Sequence, residues 1–209
     1  SCGVFGQRLS VTPRLDALAA DGVAFDEAFT VQPVCGPARA VLQTGWYPTT
    51  TGCWRNGIAL PPGTETLADR MHGLGYQTGY VGKWHLASNR GHGVPTDRFT
   101  ARFEHEPVPK ERRGGYRDVW AAADALEHTS GPTSGHVFDE DGERVDLHGY
   151  RVDALTDIAI DRLDRLDRQR PFLLFVSFLE PHHQNNRFRA IGPKGWAKRF
   201  ANFDRPGDL

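Results

Sequence analysis

The sequence predicts an α/β fold built around a mainly parallel sheet, and three observations predict it. A helical segment ending at Gly75 passes directly into a strand-like segment, residues 76–82, with polar residues after it. The clearest amphipathic helix, residues 151–169, also passes into an almost continuous apolar run, residues 172–179. That run is typical of a strand buried on both faces. Helices alternating with strands that end in polar residues are typical of α/β sheets with a site at the carboxyl edge.

Two short helices are predicted near the start of the chain. The first is bounded by the Thr12-Pro13 pair, an N-cap followed by proline at the first helical position, and by Gly22 after its end. Residues 23–30 mix apolar and polar side chains, which favours a strand or extended segment. The second helix is expected over residues 37–45, beginning at a proline and ending at a glycine.

A third helix is predicted with Thr64 as its N-cap and Gly75 at its C-terminus. Its expected apolar face consists of Leu67, Met71 and Leu74. Residues 87–115 are rich in Gly, Pro, Arg and His without apolar periodicity, which favours a long surface loop. An Asp-Gly pair at residues 141–142, between two short apolar runs, predicts a small hairpin.

Length and charge narrow the function classes. A chain of 209 residues is one large domain or two small ones. Its 25 basic and 26 acidic side chains give a net charge of −1, so neither nucleic acid nor an anionic membrane is an expected partner. The longest apolar run, residues 172–179, is far shorter than the roughly 18 residues of a membrane span. Residues 1–10 lack the features of a secretory signal, and location stays open.

The chain has three cysteines, which form neither an obvious disulfide framework nor a zinc site. Of these, Cys35 is the candidate for a reactive cysteine. It precedes the predicted start of the second helix, whose free N–H groups and partial positive charge favour a thiolate or a bound oxyanion. Arg39 can return its guanidinium to the same place. Together these features favour a phosphate or sulfate site. A structural cysteine beside a salt-bridging arginine explains the pentapeptide equally well.

The longer string VCGPARAVLQTG, residues 34–45, resembles the sulfatase signature Cys-x-Pro-x-Arg followed by Leu-x-Thr-Gly. GYVGKWHL, residues 79–86, is similar to the second signature of that family, and FLLFVSFLEPHHQ, residues 172–184, resembles its later strand and Pro-His pair. The matches are in family order over about residues 1–185. The resemblance implies an alkaline-phosphatase/sulfatase-like three-layer sandwich with a mainly parallel central sheet, expected to be incomplete at both ends.

The resemblance also implies that Cys35 is converted to formylglycine by a formylglycine-generating enzyme, which reads Pro37 and Arg39. The hydrated aldehyde offers one hydroxyl to attack sulfur in line and displace the alcohol. The second hydroxyl drives the later release of sulfate. Arg39 is implied to stabilise the hydrate, and Lys83 to hold both it and the sulfate oxygens.

Three histidines receive roles from the same resemblance. His85 would be the base of the release step, and His182 would act at the leaving-group oxygen as an acid or as a sulfate ligand. Gln184 stands where a common form of the motif has proline, so His183 is the alternative for that role, or a substrate-binding residue. Taken in isolation, a residue such as Lys83 is most often a solvated strand-end lysine, and His85 beside Trp84 is more often a packing residue than a catalytic one.

Members of the family bind a divalent cation, usually calcium, through an Asp-Asp pair and an Asp-Asn pair. Neither pair is recognisable here, which leaves Cys35, as formylglycine, as the one expected metal ligand. Residues 1–209 are therefore expected to be a partial N-terminal catalytic domain that lacks the first strand and the C-terminal half and is inactive alone. Residues 87–150 are expected to be a loop and hairpin insertion within it.

The sequence thus predicts a sulfuric ester hydrolase whose substrate is the sulfate ester of a small molecule or carbohydrate. Carbohydrate, aryl and choline-type esters all stay open. Phosphonate and phosphate ester hydrolases share the Cys-x-Pro-x-Arg motif and are one alternative. A non-catalytic, truncated paralogue is the other.

Overall fold

The computed structural model describes residues 2–6, 11–89, 102–182 and 191–201. The chain divides into two units, Ser1–Thr30 with Pro193–Leu209, and Val31–Gly192. The first unit contains a 3-10 helix (Gly3–Phe5), helix α1 (Pro13–Asp21) and a short helix (Trp196–Arg199). None of the helices in the described residues has the length and apolar character needed to cross a membrane.

Helix α1 has the predicted bounds, but Thr12 does not cap it with its side chain. The Thr12 hydroxyl instead accepts a hydrogen bond from the Gly3 amide at 2.9 Å, which ties the preceding 3-10 helix to α1. The strand expected over residues 23–30 is wrong: the structure assigns no strand there, and the Phe29 side chain is 88% exposed. A strand needs a hydrogen-bonding partner, and the described part of the chain supplies none for this segment.

The second unit is built on a five-stranded mixed sheet. Its strands are β1 (Gln77–Lys83), β2 (Val119–Ala123), β3 (Ser134–Asp139), β4 (Arg144–His148) and β5 (Phe172–Ser177). They lie in the order β4-β3-β2-β1-β5. β1 is parallel to both of its neighbours, β2 and β5, whereas the β2–β3 and β3–β4 pairings are antiparallel. The α/β class and the hairpin are therefore confirmed, although the sheet is evenly mixed rather than mainly parallel.

Among the described residues, five α-helices accompany the sheet: α2 (Cys35–Thr44), α3 (Pro48–Thr51), α4 (Leu67–Gly73), α5 (Leu126–Thr129) and α6 (Arg151–Asp164). Helix α2 begins two residues before the predicted start, so Cys35 lies in its first turn. Helix α6 ends five residues before the predicted limit. The side chain of Gln77 explains this end, because it bonds both the amide and the carbonyl of Asp167, at 2.8 and 2.9 Å.

Helices cover both faces of the sheet, which gives the expected three layers. Neighbouring strand residues point to opposite faces, so Tyr80 packs in one apolar core and Val81 in the other. The Tyr80 core includes Ala40 of α2, and the Val81 core includes Leu155 of α6. The carboxyl ends of β1 and β5 are thereby placed between two packed layers.

The segment 87–150 supplies β2, β3 and β4 of the sheet, of which β3 and β4 form the predicted hairpin. The described part of the predicted surface loop is not all at the surface, because Phe103 and Val108 are buried. Its residues 90–101 lie outside the described residues. Alanine-rich β2 (VWAAA) was not predicted, since alanine has low strand propensity. The domain limits themselves stay a prediction.

β5 is not buried on both faces as its apolar sequence predicts. Among the described residues it pairs on one side only, with β1, and most of its side chains are partly exposed. Continuous apolar sequence does not distinguish a central strand from an edge strand, because pairing is set by distant parts of the chain.

The N-cap of α4 is Thr66, and the prediction of Thr64 is wrong. Thr66 accepts from the Asp69 amide at 3.2 Å while the Asp69 carboxylate accepts from the Thr66 amide at 3.2 Å, which forms a capping box. The Thr66 hydroxyl also donates to the Gly114 carbonyl at 2.6 Å. The predicted apolar face is wrong as well, because Leu67 and Leu74 are exposed and Ala68 is the buried residue.

Replacing the true N-cap should destabilise the protein more than replacing the predicted one. Thr66→Ala removes a cap and a buried hydrogen bond and should lower the free energy of unfolding by about 1–2 kcal/mol. Thr64→Ala, the matched control, loses a hydrogen bond to the Pro61 carbonyl and should cost about 0.5 kcal/mol or less. Urea denaturation of both variants measures the difference, and equal losses would contradict the assignment.

Candidate active site

A cavity of about 440 Å³ opens at the carboxyl ends of β1 and β5. Four predicted site residues line it: Cys35, Arg39, Lys83 and His182. They come from three separate places in the chain, the start of α2, the end of β1 and the segment after β5. The fold therefore brings together residues that are up to 147 positions apart, since 182 minus 35 is 147.

A larger cavity, of about 690 Å³, contains none of the predicted site residues. Its wall includes Asp69, Arg117, Arg113 and Glu140. Arg117 is paired with the Asp69 carboxylate at 2.9 Å, and the buried Arg113 donates to the Glu140 carbonyl at 2.8 Å. These charged groups hold the wall together, so we place the chemistry in the smaller cavity.

Cys35 is the first residue of the ten-residue helix α2 and is partly buried. The next amide, of Gly36, donates to the Asn56 side-chain oxygen at 2.7 Å. A Cβ at position 36 would lie 3.2 Å from that same oxygen, so glycine lets Asn56 approach the helix start closely. The helix N-terminus adds a partial positive charge beside Cys35.

The Arg39 guanidinium joins α2 to two strands through a single nitrogen. Its Nη1 donates to the Lys83 carbonyl at 2.8 Å and to the Ser177 hydroxyl at 2.7 Å. It also lies 3.4 Å from the Tyr80 hydroxyl, which itself donates to the Lys83 carbonyl at 2.6 Å. The ends of β1 and β5 are thus fixed relative to the helix that carries Cys35.

Lys83 is the last residue of β1, and its side chain is only 1% exposed. Its ammonium forms an ion pair with Glu127 of α5, at 2.7 Å. Burial raises the pKa of Glu127, but the Lys83 charge and hydrogen bond outweigh burial and hold that pKa below its usual value. Glu127 is therefore a carboxylate at neutral pH, and its ion pair holds the Lys83 ammonium in place at the end of β1.

Gly82 permits the close approach of β1 and β5 beside Lys83. Its φ is +106°, a left-handed conformation that favours glycine. A Cβ at this position would collide with the Ser177 carbonyl. The glycine therefore places Lys83 next to Ser177 and within reach of Arg39.

His85 lies just beyond Lys83 but is not part of the cavity wall. Its backbone adopts a φ of 62°, unusual for a residue other than glycine. Burial first, and then the nearby Lys83 charge, lower the pKa of His85 to about 4. The imidazole is therefore neutral at pH 7, and its buried Nδ1 has no hydrogen-bond partner within the described ranges.

His182 is on the cavity wall, and a buried ion pair supports the segment that carries it. Arg151, 1% exposed, donates through Nε and Nη2 to one oxygen of Glu180, at 3.0 and 2.7 Å. Its Nη1 donates to the Ser130 hydroxyl at 3.0 Å. The Glu180 side chain is thereby fixed two residues before His182. His183, the alternative catalytic histidine, lies outside the described residues.

The residues around the cavity do not by themselves fit a hard divalent cation. Calcium takes six to eight oxygen ligands, with carboxylates prominent among them. Among the described residues of the cavity wall, Glu180 is the one carboxylate; Arg151 occupies its Oε1, and its Oε2 alone is left without a hydrogen-bond partner. Cys35 in its formylglycine form would add one further oxygen group.

Sequence reasoning missed the residues that support the predicted ones. Ser177 had a visible signal, because it is the polar residue that interrupts the apolar run of β5. The sequence has no such signal at Asn56 or Glu127, because their partners are distant. Asn56 bonds Gly36, 20 positions away, and Glu127 bonds Lys83, 44 positions away. Their importance follows only from the three-dimensional arrangement.

The family model described as Sulfatase matches residues 1–207 of this chain. One relative, the ulvan-active sulfatase of Formosa agariphila, is 38% identical over 82% of this chain and 30% of its own length. Another, the N-acetylglucosamine-6-O-sulfatase of Bacteroides thetaiotaomicron, is 29% identical over 85% of this chain and 27% of its own length. The chain thus spans about a third of the length of the curated relatives it matches.

Solved structures with a similar fold include the following two. One is the structure of BT4656 in complex with its substrate, D-glucosamine-2-N,6-O-disulfate. The aligned region covers 98% of this chain and 36% of the BT4656 chain, with a TM-score of 0.73 and 24% identity. The phosphonate monoester hydrolase of Agrobacterium radiobacter covers 98% of this chain and 42% of its own, with a TM-score of 0.63 and 25% identity. The alkaline-phosphatase-like, sulfatase-type fold is confirmed.

The lowered pKa of His85 predicts a defined pH dependence of stability. Below about pH 6.5, the ordinary histidine value, the unfolded chain gains a proton that the folded protein accepts only near pH 4. The contribution of neutral His85 is therefore complete above pH 6.5 and is lost progressively toward pH 4, by up to about 3 kcal/mol. His85→Gln lacks this term, so its stability relative to wild type should improve as the pH falls.

Urea denaturation measures the difference in the free energy of unfolding between wild type and His85→Gln. The measurements are made at neutral pH and at several points between pH 6.5 and 4. His148→Gln, at an exposed position on β4, is the control and should track wild type. A difference between wild type and His85→Gln that stays constant across the window would contradict the burial argument.

Proposed function

The chain belongs to the sulfatase family, and on that basis we propose that the protein hydrolyses a sulfate monoester to an alcohol and inorganic sulfate. The observation that carries the proposal is the convergence of Cys35, Arg39, Lys83 and His182 on one cavity. Each of the four matches a family motif, and the motifs are distant in sequence. Chance packing gives no reason for all four to share one wall.

Arg39 and Lys83 supply the positive charge that a sulfate monoester needs. Charge on the sulfate oxygens is stabilised best by fixed donors in a site that excludes water. Arg39 is held by the Lys83 carbonyl and Ser177, and the Lys83 ammonium is held by Glu127. Both cations are therefore positioned before substrate arrives, and the helix N-terminus at Cys35 adds to the same field.

Position 35 is proposed to act as formylglycine, made from Cys35 by a formylglycine-generating enzyme. When present, the group supplies a hydrated aldehyde as nucleophile. The site suits it, because Cys35 is partly exposed on the cavity wall and an aldehyde is no larger than the thiol-bearing side chain it replaces. Arg39 and Lys83 are the residues that would hold it.

The two histidines are proposed to move protons. His182 is on the cavity wall, where it would serve the leaving-group oxygen as an acid or bind the sulfate; His183 stays the alternative. His85 is neutral at pH 7 because its pKa is about 4, so it can accept a proton during sulfate release.

Family membership also implies a divalent cation, for which we propose calcium, with position 35 as formylglycine among its ligands. The described cavity residues alone do not make up its donor set, since they offer only the free Oε2 of Glu180 beside position 35 where calcium takes six to eight oxygens.

For the substrate we propose a sulfated carbohydrate. Support comes from the relatives, one of which is named as ulvan-active and another as an N-acetylglucosamine-6-O-sulfatase. The cavity of about 440 Å³ is of the size that admits one sugar residue with its sulfate. Its apolar side, formed by Leu42, Phe175 and Phe178, offers a surface for a sugar ring.

Phosphonate ester hydrolysis is the second candidate, because the Agrobacterium radiobacter enzyme has the same fold. Turnover of paired aryl sulfate and aryl phosphonate esters by the whole protein separates the two. A higher kcat/KM for the sulfate supports the main proposal, and a higher kcat/KM for the phosphonate replaces it.

Replacing the nucleophile should abolish activity. Cys35→Ala cannot be converted to an aldehyde, and its kcat on an aryl sulfate should fall by at least about a thousandfold. Cys2→Ala, at a partly buried cysteine in the other unit, is the matched control and should retain wild-type turnover. Activity that survives Cys35→Ala would overturn the proposed nucleophile.

Mass spectrometry of the tryptic peptide spanning Cys35, after coexpression with the modifying enzyme, tests the modification itself. The expected result is the lower mass produced when an aldehyde replaces the thiol. An intact thiol in a protein without sulfatase activity would instead support the non-catalytic alternative.

A further inference from the structure

A second group of metal-binding side chains lies outside the cavity and has no role in the proposed reaction. Glu104 ends the short 3-10 helix Arg102–Glu104, His105 follows it, and His128 belongs to α5. One ligand atom from each of the three residues lies within 4.8 Å of the other two. Two imidazoles and a carboxylate thus face one small space.

The spacing of these atoms fits a bound ion better than a direct contact. His128 Nδ1 lies 3.6 Å from a Glu104 carboxylate oxygen, which is too long for a hydrogen bond. Ligands about 2.1 Å from a tetrahedral zinc ion lie about 3.4 Å from each other. The His105 and His128 rings are stacked, with centroids 5.3 Å apart. Because imidazole lone pairs lie in the ring planes, the two exposed rings must rotate for both nitrogens to bind one ion.

The backbone that carries the three side chains is already anchored. Phe103, beside Glu104, is 3% exposed, and Leu126, two residues before His128, is fully buried. The Glu104 side chain is itself 14% exposed, whereas both histidines are exposed and open to an ion from solvent. Little chain entropy remains to be lost on binding, which favours affinity.

We propose that Glu104, His105 and His128 bind one transition-metal ion of the zinc class. Imidazole nitrogens with one carboxylate suit zinc and its first-row neighbours, whereas calcium requires six to eight oxygens. Three protein ligands leave at least one position open to water or to an anionic ligand. The site is distinct from the family's expected cation at position 35.

The proposed metal site adjoins the Lys83–Glu127 ion pair in the chain. His128 directly follows Glu127, which holds the Lys83 ammonium. The zinc ligand and the ion-pair partner of Lys83 are therefore consecutive residues of the short helix α5.

A calorimetric titration of the whole protein with Zn²⁺ tests the proposal. Calcium is present in excess, so that oxygen-rich sites are already filled. Wild type should bind one Zn²⁺ per chain, and His128→Ala and His105→Ala should each bind at least tenfold more weakly. His148→Ala, an exposed histidine on β4 outside the group, is the matched control and should bind as wild type. Equal affinity in wild type and His128→Ala overturns the site.

Cobalt absorption provides a second readout that is independent of sulfatase activity. Co²⁺ added to wild type should produce visible ligand-field bands, which disappear in His128→Ala and persist in His148→Ala. Thermal denaturation without metal should show all variants equally folded, since the replaced side chains are exposed. Bands that persist in His128→Ala would also overturn the proposal, whether or not the protein hydrolyses sulfate esters.

Discussion

The Arg39 guanidinium is the interaction on which the candidate site depends. Its Nη1 holds the carbonyl of Lys83 and the hydroxyl of Ser177, so one group joins α2 to the ends of β1 and β5. A charge-assisted donor shared between such acceptors is stronger than a neutral hydrogen bond. Cys35 keeps its place above the sheet edge because Arg39, one helical turn later, is fixed to the strands beneath.

Two buried ion pairs brace opposite walls of the same cavity. Lys83 with Glu127 links β1 to α5, and Arg151 with Glu180 links α6 to the segment that carries His182. Removing one member of such a pair leaves an uncompensated buried charge, which is strongly destabilising. The two pairs therefore fix the Lys83 ammonium and the segment that carries His182 at the cavity, and fixed donors stabilise an oxyanion without reorganisation.

Elements whose structure depends on local sequence were predicted well. Local signals such as capping residues, glycines and alternating apolar and polar residues predict the bounds of α1, the start of β1 and the β3–β4 hairpin. Predictions failed where a distant part of the chain decides the structure. Within the described ranges, residues 23–30 have no strand partner and β5 pairs with β1 alone. Helix α6 ends early where Gln77 bonds Asp167. Local composition does not report these pairings.

The candidate site shows the same division. Motif order indicated Cys35, Arg39, Lys83 and His182, and the structure places all four on one cavity wall. It leaves His85 behind that wall. Their supporting residues were invisible to motif reasoning, because a residue such as Glu127 has an ordinary local sequence and gains its importance only from the lysine it meets across the sheet edge.

The most direct test of the central claim is the kcat/KM of Arg39→Lys in the whole protein on an aryl sulfate. Lysine keeps the charge but cannot bond the Lys83 carbonyl and Ser177 while also facing the sulfate. We expect a loss of about a hundredfold or more, with Arg55→Lys, a partly exposed arginine, close to wild type. Wild-type kcat/KM in Arg39→Lys would contradict the account.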